Sequence, residues 1–270
     1  MTTSNVKFES ISLKTRIITM LKVDLRRMFT MPLFYIMVGV SAVIPVLVLV
    51  MTSMMAGTPS VDPVTGVETT MASFENVWQT LGSTSDSGAM MSMDLVGMCN
   101  INMIYFLIAI LVCLFISDDF RSGYAKNLFA MRSKKTDYVI SKTVVGVVGG
   151  VAMILGYFVG AMLGGGIASL SFEVVGATAG GIVACIFSKI FIVAVFVPIF
   201  VVMSVVAKQK SWLSILLSLG ASMLLFTMIP MISPLDSTFL NVILCLAGGV
   251  LLSVGLGSIS NVILQKTSLV

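Results

Sequence analysis

Residues 33–55 read LFYIMVGVSAVIPVLVLVMTSMM, an unbroken stretch with no charged side chain. A helix rises ~1.5 Å per residue, so about 20 apolar residues cross a hydrocarbon core ~30 Å thick. Backbone amides cannot stay unpaired in lipid, and the stretch lacks the alternation of a barrel strand, so it must be helical. Five further apolar runs follow at 95–117, 143–170, 179–207, 212–229 and 239–264. The pattern predicts an all-α integral membrane protein with six transmembrane helices in one domain over residues 1–270. Composition agrees: 57% of residues are hydrophobic, 10% are charged and the mean hydropathy is +1.08. Soluble domains devote about a quarter of their residues to charge, and disordered chains are poor in apolar residues, so both classes are excluded. The absence of histidine excludes an imidazole base or a His-ligated metal. Cys99, Cys113, Cys185 and Cys245 lie in apolar runs and read as core side chains.

Charge sorting predicts the topology. Lys7, Lys14, Arg16, Lys22, Arg26 and Arg27 precede the first span, and Arg121, Lys126, Arg132, Lys134, Lys135 and Lys142 follow the second. Lys208, Lys210 and Lys266 fall on the same side of a six-span arrangement, so 15 of 16 basic residues are on one face. The other face carries Asp62, Glu68, Glu75, Asp86, Asp94, Glu173 and Asp236. The positive-inside rule then puts both termini in the cytoplasm of a multi-pass protein.

Three segments outside the spans have their own patterns. Within residues 10–31, Ile17, Leu21, Leu25 and Met28 recur at helical spacing among Lys14, Lys22 and Arg26, which predicts an interfacial amphipathic helix. The loop 56–94 is long and acidic, and Phe74, Val77, Trp78 and Leu81 suggest a short helix at the outer surface. In the inner loop 118–142, Phe120, Tyr124, Leu128 and Met131 give an apolar face to a helix expected over 119–131. Asp118 and Asp119 suit its start, and Arg132, Lys134 and Lys135 suit its end. Such a helix is suited to a groove on a partner protein.

Catalytic signatures are missing. No G-x-x-x-x-G-K-[ST] and no H-E-x-x-H occur, and no span has an internal carboxylate. Ser188 beside Lys189 is a poor catalytic pair, because adjacent helix positions point about 100° apart. The chain therefore reads as a non-enzyme. Gly156, Gly160 and Gly164 form a small-residue row suited to close packing, within the chain or between subunits. Lys189, ~15 Å into the fourth span, is expected near mid-membrane. It either lines a translocation path or snorkels outward, and Asn100 and Asn102 of span two are candidate partners on that path.

The inner loop has the form D-x-x-x-G-x-x-K, a basic cluster, then Y-x-x-x-K, carried by Asp119, Gly123, Lys126, Arg132, Tyr138 and Lys142. With the preceding amphipathic helix and six spans, this resembles the permease subunit of ABC-2 type ATP-binding-cassette exporters, over almost the whole chain. The Pro that often precedes the basic residue in that family is missing from Ala130-Met131-Arg132-Ser133. In size and character the chain is similar to small six-span subunits that export bacterial peptides, including the phenol-soluble modulin exporters. The resemblance implies a bacterial cell-membrane complex of two permease chains with separate nucleotide-binding ATPase subunits. ATP and Mg would bind those partners, this chain would hold no cofactor, and no nucleic acid would take part. It also implies a coupling helix in which Asp119, Phe120, Arg121, Gly123, Tyr124, Lys126 and Leu128 meet the ATPase, with Phe120 and Tyr124 as anchors. The competing class is an ATP-independent channel or a non-catalytic membrane receptor.

Overall fold

A computed structural model describes residues 12–61, 68–70, 74–82, 100–130, 134–174, 176–226 and 228–266. The chain is built of helices: α1 (Leu13–Thr30), α2 (Pro32–Met55), α3 (Ile104–Arg121), α4 (Tyr124–Ala130), α5 (Lys135–Ile167), α6 (Ala179–Ala207), α7 (Ser211–Phe226), α8 (Ile229–Ile232) and α9 (Phe239–Lys266). Two three-residue strands, Pro59–Val61 and Glu68–Thr70, pair antiparallel with Pro59 opposite Thr70. Five helices are long and apolar enough to cross a membrane: α2, α3 with the 3-10 turn Ile101–Met103 before it, α5, α6 and α9. The chain is thus a membrane-embedded helical protein. Helix α7, on the expected fifth span, has 16 residues and rises ~24 Å, and Thr227 after it lies outside the described residues.

Local chemistry sets the boundaries. The Ser12 hydroxyl accepts from the Thr15 amide 3.3 Å away and starts α1. Pro32 forces Met31 into extended backbone, which ends α1 and begins α2 within one residue. Thr178 caps α6 by accepting from the Gly181 amide at 3.0 Å.

Helix α5 is the hub, packing on α1, α2, α3, α6 and α9. Its glycines make the close approaches possible. A Cβ on Gly160 would strike the Ala42 carbonyl of α2, and one on Gly164 would lie 2.8 Å from the Val46 Cα. The Gly156–Gly160–Gly164 row therefore packs inside the chain, against α2. Nearer the basic end, Gly146 and Gly150 admit Val197 and Val193 of α6. The core continues between α3 and α6, where Tyr105 and Phe196 stack with ring centres 4.9 Å apart. At the acidic end, the 3-10 turn Val77–Thr80 closes the bundle. Trp78 donates its indole N–H to the Phe172 carbonyl at 2.9 Å, while Phe74, Val77 and Leu81 are buried. The residues expected to form a helix on the outer surface thus make a single tight turn packed into the bundle, and 71–73 lie outside the described residues.

Two boundaries differ from expectation. The helix expected over 119–131 does not exist as one rod. Helix α3 runs on through Asp119 to Arg121, the chain turns at Ser122 and Gly123 (φ +76°), and α4 then begins. The left-handed conformation at Gly123 breaks the rod; Met131 and Arg132 lie outside the described residues. The third span begins at Lys135, eight residues before the expected Thr143, so most of the expected 118–142 loop is helical. The helix can extend because ion partners neutralise Asp137 and Lys142. Of the expected second span, 95–99 lie outside the described residues.

Candidate functional site

The first turns of α5 place Asp137, Tyr138, Ser141 and Lys142 along its inner face at the basic end of the bundle. Helix α1 brings Arg16, Asp24 and Arg27 against this face, and the last turns of α3 bring Phe115 and Asp119. Lys142 is fully buried, with Nζ 2.8 Å from Asp24 Oδ1 and 2.7 Å from Asp119 Oδ2. Ser141 donates to the second Asp24 oxygen at 2.6 Å, and the Tyr138 hydroxyl donates to Asp119 at 2.9 Å. Arg27 closes the cluster with a 2.7 Å bond to Asp119 Oδ1. Two carboxylates thus face two cations, all charge-assisted and hydrogen-bonded, which is the condition for burying ions without prohibitive cost. Aromatic rings wall the site: Lys142 Nζ lies 4.2 Å from the Phe115 ring centre, and the Arg27 guanidinium lies 4.1 Å from that of Tyr124. A flanking pair, Arg16 with Asp137 at 3.1 Å, ties the start of α1 to the start of α5.

Burial alone would lower the Arg27 pKa. The charge and hydrogen bond of Asp119, with smaller help from Tyr124 and Asp24, reverse this and raise it above its usual value. Burial, then the charge of Asp24, raises the Tyr124 phenol. Both groups keep their neutral-pH forms. The cluster joins α1, α3 and α5 through buried ion pairs and hydrogen bonds. Among the described residues no three His, Cys, Asp or Glu side chains gather to hold a metal.

Helix α4 sits on this joint. Ala125 is buried beneath it, and Phe129 meets the Tyr138 ring edge-on at 5.3 Å. Tyr124 and Leu128 are half-buried, while Arg121, Lys126 and Asn127 are exposed. Phe120 is buried, its ring centre 6.3 Å from that of Tyr138. Of the two rings expected as anchors, that of Phe120 lies in the core of this chain and that of Tyr124 covers Arg27. The outward chemistry of this elbow is polar and basic.

Of the two asparagines expected as candidate partners of Lys189, Asn102 does bond to it. Lys189 has no exposed surface and donates to Asn102 Oδ1 at 2.7 Å. Asn102 lies in the turn opening α3, and the helix from there to Arg121 rises ~29 Å. Lys189 is thus level with the turn that opens α3, packed between helices among the described residues. Asn100 caps that turn, its side chain accepting from the Asn102 amide at 3.0 Å. Lys189 and Asn102 thus form an interhelical clasp, and the lysine does not snorkel outward.

Asp24, Arg27, Ser141 and the Arg16–Asp137 pair carry roles that the amphipathic pattern alone did not reveal. The available signal was the spacing Met20, Asp24, Met28, which places an acid at i+4 between two apolar residues on what becomes the buried face of α1. No protein-family model matches the chain, and no curated protein matches it either.

Proposed function

We propose that the chain is the permease subunit of an ATP-driven exporter, with α7 as the fifth of six spans and the basic end in the cytoplasm of a bacterial cell. A second permease chain would complete the conduit, and separate ATPase subunits binding ATP and Mg would drive it. The cargo class that fits is amphipathic peptides or other hydrophobic compounds. One observation carries the reading: the α3–α4 elbow presents Arg121, Lys126 and Asn127 outward while its inner side is bolted to the Asp24–Arg27–Asp119–Lys142 cluster. A partner pushing on the elbow would move α1, α3 and α5 together, because these helices share buried charges that separate only at a cost of several kcal/mol. Nucleotide would drive transport by binding the two arrangements of the complex with different affinity.

The test is affinity purification in mild detergent followed by transport in vesicles. A nucleotide-binding subunit should co-purify, and cargo should accumulate only when ATP is present on the basic side. Transport by the purified chain alone, without nucleotide, would instead establish the channel.

A further inference from the structure

Helix α1 has two faces of different chemistry. Its inner face belongs to the bundle: Asp24 bonds to Lys142, Met28 lies over Gly149 of α5, and Leu21 and Leu25 pack against the core. On the opposite side Lys14, Ile18, Lys22 and Arg26 recur every fourth residue, and Phe29 falls within the same ~120° of arc at 100° per residue. All five are exposed. Lys22 and Arg26 have no hydrogen-bond or ion-pair partner among the described residues. No acid competes for them on this helix, because its one carboxylate, Asp24, is buried, and the exposed Asp118 of α3 lies 3.8 Å from Arg27.

Register fixes the height of each cation. Arg16 meets Asp137, Asp24 meets Lys142 and Met28 meets Gly149, so α1 advances beside α5 in the same direction. Helix α2 continues along it, with Ala42 at Gly160 and Val46 at Gly164. The charge-free run of α2 begins at Pro32. At ~1.5 Å per residue, Phe29 lies ~5 Å, Arg26 ~9 Å, Lys22 ~15 Å and Lys14 ~27 Å before that point. The polar layer between hydrocarbon and water is about 5–8 Å thick. Arg26 therefore stands at the edge of that layer, Lys22 lies within a Debye length of ~8 Å from it, and Lys14 lies beyond. Just inside, Phe34 meets Phe29 and Tyr35 edge-on, each with ring centres 5.3 Å apart, and Phe29 and Tyr35 are exposed. Aromatic rings of this kind concentrate at headgroup level.

We propose that the α1–α2 elbow binds an anionic phospholipid, with its phosphate on Arg26 and Lys22 and the start of its acyl chains against Phe29 and Tyr35. A zwitterionic lipid offers the same chains without net charge, so the two unpaired cations favour the acidic one. The bound lipid sits on the side of α1 opposite Asp24. The inference rests on the membrane-embedded fold and not on ATP as the driving force.

Native mass spectrometry of the intact chain, titrated in detergent with phosphatidylglycerol or with phosphatidylcholine of the same acyl chains, tests it. Phosphatidylglycerol should bind more tightly, and R26Q should cut that preference about fivefold, the worth of one basic contact. K22Q/R26Q should cut it further, and R26K should retain it. K14Q, ~18 Å along the helix from Arg26, should change it by less than about twofold. Equal affinity of the native protein for the two lipids would overturn the inference and leave this face to an acidic protein partner. An unchanged preference in K22Q/R26Q would overturn it too, as would a K14Q effect equal to that of R26Q. All three positions are exposed, so the variants should keep the native melting profile, which is checked on the same samples.

Discussion

Lys142 Nζ and Asp24 Oδ1 stand 2.8 Å apart with neither side chain exposed, and this bond joins the first helix of the chain to its hub. Breaking a buried pair from one side leaves an uncompensated ion. D24A and K142A should each lower stability by about 3–5 kcal/mol, whereas a shape-conserving D24L/K142M should recover part of that loss. Denaturant unfolding in detergent, arranged as a double-mutant cycle, measures the coupling. Additive single effects would show that the pair is not an energetic unit.

The elbow separates stability from coupling. Arg121 and Lys126 are exposed, so R121A/K126A should shift stability by no more than about 0.5 kcal/mol. If the elbow meets an ATPase, the same variant should lose co-purification or ATP-dependent transport. F120A should behave in the opposite way, destabilising the fold by about 3–5 kcal/mol because it empties a buried ring site. Thermal unfolding and pull-down on the same samples distinguish the two.

Helix α2 lies against α5 only because Gly160 has no side chain. G160V should cost at least about 3 kcal/mol by forcing the Ala42 carbonyl away. G166A, whose new methyl would meet nothing within 4 Å, should be tolerated. A wild-type melting profile for G160V would disprove the close approach.

Lys189 and Asn102 should respond asymmetrically. N102L strands a buried cation and should destabilise by about 1–3 kcal/mol or more, while K189M removes the cation and should cost less. Equal losses would mean that the amide matters for something other than accepting from the lysine.

At the acidic end, Asp236 accepts from the Thr178 amide at 3.1 Å and from its hydroxyl at 3.0 Å. These bonds, the backbone one first, lower the Asp236 pKa. A carboxyl whose folded pKa is depressed contributes stability above its unfolded value, about 3.9, and that contribution fades as pH falls through the folded value. Wild-type protein should therefore lose stability below about pH 4 more steeply than D236A. Parallel pH profiles would remove Asp236 from the account.

The long apolar runs made the helices legible, because lipid leaves the backbone no alternative. The basic end was harder to read. Burial of Asp24, Asp119 and Lys142 against one another depends on three helices meeting from positions as far apart as 24, 119 and 142, which no local spacing encodes. The motif residues Asp119, Tyr138 and Lys142 do converge, but their common partner Asp24 lies outside the motif. Lys189 was found by its oddness in an apolar run, and Asn102, a candidate partner from the sequence, does accept from it.

The Asp24–Lys142 bond also has a consequence for biogenesis. The lysine is made 118 residues after the aspartate, so the N-terminal helix is synthesised long before the hub that will neutralise its acid. Throughout that interval the carboxylate lacks its lysine partner, and α1 can make this bond only once the start of α5 has followed it. Nascent chains arrested before Lys142 should accordingly leave that helix open to protease.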